Sequence, residues 1–163
     1  MIFALFAQSG PNRAVIRRHV NLSASGYSAT TTSANATVAA LLQTHVESMR
    51  RRVRDGRPMN TWDPFYAAIF NASARGELTM ATRNISGGVA VSEVGGSPCA
   101  AAVLHEHAAE VSRFVSIGMP EMAGPAHPVP AACPWHRARR VSGAVMPSHD
   151  GERDGERDHH HAP

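Results

Sequence analysis

The sequence predicts an α+β protein, in which a four-stranded antiparallel sheet carries two long helices packed on one face. Three observations predict this fold: an internal repeat with an offset of about 62 residues, apolar residues with a period of two, and a long amphipathic segment ending each repeat. The two αββα repeats would cover residues 3–58 and 65–120. A packing of helices alone is the alternative if the weaker first hairpin does not form strands.

The two long amphipathic segments show the repeat most clearly. Residues 38–58 read VAALLQTHVESMRRRVRDGRP, and part of this pattern returns 62 residues later. The recurring residues of the first copy are Ala39, Ala40, Leu42, His45, Arg51, Val53, Gly56 and Pro58. A glycine followed by a proline ends a helix, so we expect the two helices to close at Gly56 and Gly118.

The starts of three helices are marked by capping residues. Asn35 and Ser97 are placed as N-caps of the long helices, and Asp63 is placed as the N-cap of the second short helix. Proline follows Ser97 and Asp63 at the first helical position, which it favours. The first short helix has no such start, because Met1 already falls inside it.

The strand segments are predicted at residues 14–21 and 77–84, each followed by a turn and a second strand. Leu78 and Met80 alternate with smaller residues, and Val89 and Val91 do the same after the Asn-Ile-Ser-Gly-Gly turn signal. Both repeats therefore predict a β-hairpin.

The composition bounds the class of protein. The chain has 163 residues, 43% of them hydrophobic and 18% charged, which is typical of one globular domain. We place that domain at residues 1–134, its last part a proline-rich extension. Residues 135–163 would comprise an arginine-rich segment and a disordered acidic, histidine-containing tail.

The net charge of +3 combines two opposite parts. Residues 1–149 hold fourteen arginines against eight acids, whereas the chain from Asp150 onward holds five acids against two arginines. No apolar run could span a membrane. The predicted location is cytoplasmic by default, or exported if a leader precedes this sequence.

The tandem pattern resembles a group of small bacterial proteins without an established activity. The resemblance covers residues 3–130 and is carried by the strand–Gly-Val–strand segments, by ALLQTHVESM, by VLHEHAAEVSRFVSIGM and by AHPVP. It implies the repeat architecture and no catalytic residue.

The shared histidines are the leading candidate site. His45 and His107 occupy the same position on the two long helices, so packing of the repeats could bring them together as ligands of copper or haem iron. Met49 lies one turn after His45, and His127 follows the second helix, so both join the predicted metal site. The alternative is a pair of core histidines that duplication merely copied.

An enzyme is disfavoured by the missing parts of each candidate constellation. His105-Glu106-His107 would need a histidine at position 109 to make a zinc hydrolase motif, and that residue is Ala109. Cys99 falls in the first turn of a helix, and Cys133 lies in Cys-Pro-Trp-His. We interpret both cysteines as inert, because their sequence surroundings show no activating partner.

A second candidate site is an arginine cluster at the end of the first long helix. Arg50, Arg51, Arg54 and Arg57 could bind an anionic partner. A solvated last turn complementing the helix dipole is the alternative. The absence of a recognition motif or aromatic platform disfavours nucleic acid as the partner, and a homo-oligomer stays open.

Overall fold

The structure, a computed structural model, describes residues 15–61, 63–117 and 126–134. Its elements in chain order are β1 Ile16–Ser23, β2 Gly26–Ser33, α1 Ala36–Arg54, α2 Pro64–Ala74, β3 Leu78–Ile85, β4 Gly88–Gly95 and α3 Pro98–Ile117. The strands form one antiparallel sheet in the order β1-β2-β4-β3. The predicted α+β fold with a four-stranded antiparallel sheet is therefore confirmed, and packing of helices alone is wrong.

Three predictions fall outside the described residues, and a fourth stays untested. The first short helix, the stop at Gly118 and the tail from residue 135 lie outside the described ranges. Duplication of an ancestral repeat stays a prediction.

The helix termini follow the local chemistry of the chain. The Asn35 side chain accepts from the amides of Thr37 and Val38, and the Asp63 side chain accepts from the amide of Phe65. Ser97 Oγ accepts from the amide of Ala100 at 3.2 Å. These bonds satisfy amides that have no partner within the helix, which is why each helix begins where it does.

One face of the sheet is buried under the helices. Tyr27 and Ala29 of β2 pack with Leu104 and Ala108 of α3. Ile16 of β1 joins a second apolar cluster that both long helices share, formed with Val38, Leu42 and Phe114. The opposite face carries exposed residues, among them His19, Ser28 and Thr30.

Each long helix reaches across to the hairpin that does not precede it. Helix α1 lies over β2, β3 and β4, whereas α3 lies over β1, β2 and β4. The Gln43 side chain of α1 donates to the carbonyl of Gly88 at 2.8 Å, and His105 Nε2 of α3 lies 2.8 Å from the carbonyl of Ser23. The two halves are thereby interlocked, so the hairpins and helices form one core.

The central strands approach most closely at two glycines. A Cβ atom at Gly88 would lie 2.1 Å from the carbonyl oxygen of Thr31, and one at Gly26 would lie 2.0 Å from that of Glu93. Since these obstacles are backbone atoms of a paired strand, they cannot move without disturbing the sheet.

Substitution of Gly88 by alanine is therefore expected to lower the free energy of unfolding by about 1–3 kcal/mol, the usual cost of overpacking. Chemical denaturation measures this loss. Gly96→Ala is the matched control, because its Cβ would meet nothing closer than 3.7 Å. Equal stabilities of the two variants would contradict the close approach.

Candidate metal centre

The two shared histidines are partly buried side chains on different helices. His45 belongs to α1 and His107 to α3, and burial lowers the pKa of both imidazoles. The pKa of His107 falls to about 4, and the nearby His45 and Arg18 contribute to this by disfavouring a further positive charge. His107 is therefore neutral at pH 7, which is the form of imidazole that binds metal ions.

One nitrogen of this pair lacks a partner. Nδ1 of His107 is buried and makes no hydrogen bond to any described residue. A buried polar atom without a partner costs about 1–3 kcal/mol. Such a nitrogen on a neutral imidazole can coordinate a metal ion or accept a hydrogen bond.

Met49 belongs to the same helix as His45 and is partly buried. Residues four apart lie on one face of a helix, so the thioether and the His45 imidazole extend from the same side of α1.

The structure places His127 in a different cluster, held by two carboxylates. Its Nδ1 lies 2.8 Å from Oδ2 of Asp63, and its Nε2 lies 3.7 Å from Oε1 of Glu110. The Phe65 ring stands near both histidines, with its centroid 6.5 Å from that of His107 and 5.8 Å from that of His127. We therefore leave His127 out of the ligand set that the His45–His107 pair would form.

A buried carboxylate completes the cluster around His127. Glu110 is 2% exposed, accepts a hydrogen bond from the Tyr66 hydroxyl, and has a second oxygen, Oε2, without a hydrogen-bond partner among the described residues. Burial raises the pKa of Glu110. The sequence gives no local signal for this buried position, because Tyr66 and His127 lie 44 and 17 residues away along the chain.

A second polar cluster lies between the sheet and α3. Arg18 of β1 donates to Thr31 Oγ1 at 2.9 Å and to Ser112 Oγ at 3.3 Å. Tyr27 hydrogen-bonds with Glu93, and burial raises the pKa of Glu93 to about 7. The sequence did carry a signal here, because Glu93 follows Val89 and Val91 with the period of two that marks an inward position.

The two cysteines are joined to each other, a connection that was not predicted from the sequence. Cys99 at the start of α3 and Cys133 in the segment 126–134 form a disulfide, with their Cα atoms 4.5 Å apart. Their sequence surroundings predict two inert cysteines and give no indication of a bond between them. Residues 34 positions apart give no local pattern that would reveal such a bond.

The arginine cluster is largely paired within its own helix. Glu47 accepts from Arg50 and Arg51 at 2.8 Å, and Asp55 accepts from Arg54 at 2.7 Å. These groups line a shallow groove together with Arg52 and Arg57. With five arginines and two acids along residues 47–57, the groove keeps a net positive charge.

Within the described ranges, no three histidine, cysteine, aspartate or glutamate side chains are grouped in a way that could hold a metal ion. Among the described helices, none combines the length and apolar character that crossing a bilayer requires.

No protein family, curated protein or solved structure matches the chain. The resemblance drawn from the sequence therefore stays a prediction.

Proposed function

We propose that this protein is a non-enzymatic binding protein for a transition-metal ion, held between α1 and α3 by His45 and His107. The observation that supports it is the buried, unpartnered Nδ1 of a neutral imidazole beside a second imidazole whose pKa is also lowered. An ion bound there would satisfy a polar atom whose burial is otherwise unfavourable.

Copper(I) fits this donor set better than zinc does. Thioether sulfur selects copper(I), and imidazole suits copper as well. Copper(I) also accepts a low coordination number, so two imidazoles and the Met49 sulfur would suffice where no group of three histidine, cysteine or acidic ligands exists among the described residues. Haem is the alternative, because imidazole and thioether ligands also hold haem iron.

The test is an anaerobic titration of the metal-free protein with copper(I) against a chromophoric chelator. We expect one ion per chain, with affinity falling about 100-fold or more in His45→Ala and in His107→Ala, because each removes a ligand. We expect a smaller loss, about tenfold, in Met49→Leu.

His19→Ala is the matched control, because His19 is exposed on the opposite face of the sheet. Copper affinity that is unchanged in the double variant His45→Ala/His107→Ala, or lost equally in His19→Ala, would reject the proposed centre.

We propose anion binding at the end of α1 as a second function, supported by the net positive groove of residues 47–57. The pairing of Arg50 and Arg51 with Glu47 limits the strength of anion binding, because those guanidinium groups must exchange partners.

The expected result is retention on heparin that weakens with salt and with combined replacement of Arg50, Arg54 and Arg57. Arg83→Ala is the control, because Arg83 is exposed on β3, and retention insensitive to salt would dismiss this function.

We also propose that the protein works in an oxidising compartment. Disulfides persist in such compartments and are rare where cellular thiols keep cysteine reduced. The Cys99–Cys133 bond supports this location over the cytoplasmic one that the sequence analysis took as its default.

A further inference from the structure

Residues 126–134 pass over the starts of α2 and α3 and turn at residues 131–134; we name this segment the strap. Its first anchor is His127, whose amide and Nδ1 both donate to Oδ2 of Asp63, at 3.1 and 2.8 Å. Val129 packs against the apolar cluster that contains Phe65. The last anchor is the disulfide from Cys133 to Cys99.

The strap holds an imidazole between two carboxylates that are almost completely buried. Asp63 is 1% exposed and Glu110 is 2% exposed. His127 lies against the first through Nδ1 and faces the second through Nε2 at 3.7 Å. While the His127 imidazole stays in place, it contacts the two carboxylates. If it moves away, water contacts them instead.

The noncovalent hold of the strap is limited. Ala126, Pro128, Ala131 and Ala132 are exposed, so among the described residues the strap is held mainly by His127, Val129 and the buried Cys133. These contacts are few, and they are opposed by the conformational entropy that the segment gains when it is released. The disulfide is thus the tie that keeps the strap in place.

We propose that the Cys99–Cys133 disulfide is a redox-controlled latch, which fastens the strap over Asp63 and Glu110 and releases it when a thiol reductant opens the bond. This inference is independent of the metal centre, because it uses neither His45 nor His107.

The chemistry is ordinary thiol–disulfide exchange. A thiolate of a dithiol reductant attacks one sulfur of the pair and forms a mixed disulfide, and the second thiol of the reductant then displaces the remaining cysteine. Two electrons and two protons pass to the protein, which ends with two thiols, while the reductant becomes a cyclic disulfide. Cys133 is 1% exposed, so we expect the attack to require brief lifting of the strap and to be slow.

Release changes the surface of the molecule. His127 leaves the acids, and Asp63, Glu110 and the Tyr66 hydroxyl then face solvent as an acidic patch. In the fastened state these groups bind only partners within the chain. The latch would in this way couple the redox state of the surroundings to an accessible carboxylate surface.

The experiment is nuclear magnetic resonance of the full chain before and after reduction by dithiothreitol, with reduction verified by a mass increase of about 2 Da. We expect the amide signals of His127 and Val129 to move to random-coil positions and that of Phe65 to shift. The signals of Tyr27 and Glu93 in the central strands should stay at their native positions. Cys99→Ala/Cys133→Ala should give the same spectrum without reductant, which excludes effects of dithiothreitol elsewhere.

Three outcomes would overturn the latch. In the first, the strap signals stay native after complete reduction. In the second, the central-strand signals are lost together with them, so that the bond is only a global stabiliser. In the third, the folded protein resists dithiothreitol altogether.

Discussion

Removing the disulfide by Cys99→Ala/Cys133→Ala lowers the free energy of unfolding by about 4 kcal/mol. The bond joins residues separated by 34 positions, and a cross-link of that span restricts the unfolded chain by roughly this amount in the loop-entropy description. Chemical denaturation of the oxidised protein and of the double variant measures the difference. It is the largest effect of any substitution considered, because it acts on the whole unfolded ensemble.

The matched comparison is the wild-type protein under dithiothreitol, which removes the bond while keeping both sulfur atoms. The double variant and the reduced protein should agree within about 1 kcal/mol, since small changes in a buried side chain cost about that much. Equal stability of the oxidised protein and the variant would show that the two cysteines are not bonded in solution.

Replacing Glu93 with glutamine produces a stability difference that grows with pH. The folded pKa of Glu93 is about 7 and its ordinary value is 4.5, so the folded state holds a proton that the unfolded state has released between these values. Stability contributed by the protonated acid is complete below pH 4.5 and is lost as the pH rises to about 7. Glutamine does not titrate, so the variant should gain about 3 kcal/mol over the wild type across this window.

The comparison with the Glu93→Gln variant is needed because titration of His107 changes the stability with pH in the opposite direction. Its folded pKa of about 4 lies below the ordinary 6.5, so stability rises with pH over that interval and masks the slope from Glu93. Urea denaturation between pH 4.5 and 7 of the metal-free protein measures both forms. Glu106→Gln is the control, because Glu106 is exposed on α3. A constant difference between wild type and Glu93→Gln across the window would show that Glu93 is not buried as an acid.

Local chemistry made much of the fold predictable. The period-two alternation at Leu78 and Met80 located β3 to within a residue, and the capping residues Asn35 and Asp63 located two helix starts. Gly56 and Gly76 take positive φ values of 59° and 70°, as expected where a helix ends. Each of these features depends on neighbours within a few residues.

The arrangement of the helices over the sheet was not predictable in the same way. Helix α1 lies over β3 and β4 as well as over β2 of the preceding hairpin, and the bond from Gln43 to the Gly88 carbonyl spans 45 residues. The pattern of an amphipathic helix fixes which side is buried but carries no information about which strands it meets. The choice depends on packing of the complete molecule.

The candidate site was likewise predictable only in part from the sequence. Recurrence of histidine at positions 45 and 107 pointed to the pair, and the structure gives both lowered pKa values. The clamp of His127 by Asp63 joins groups 64 residues apart, and the disulfide joins groups 34 apart. Such contacts leave no periodic trace, so His127 was grouped with the other histidines by residue type alone.

The central claim is that His45 and His107 bind one copper(I) ion together. X-ray absorption of the protein loaded with one equivalent of copper(I) tests it most directly, because imidazole rings and thioether sulfur scatter differently around the metal. The predicted spectrum contains two imidazole ligands and one sulfur, with the sulfur contribution absent in Met49→Leu. A spectrum without imidazole scattering, or one that is the same in His45→Ala/His107→Ala, would contradict the claim.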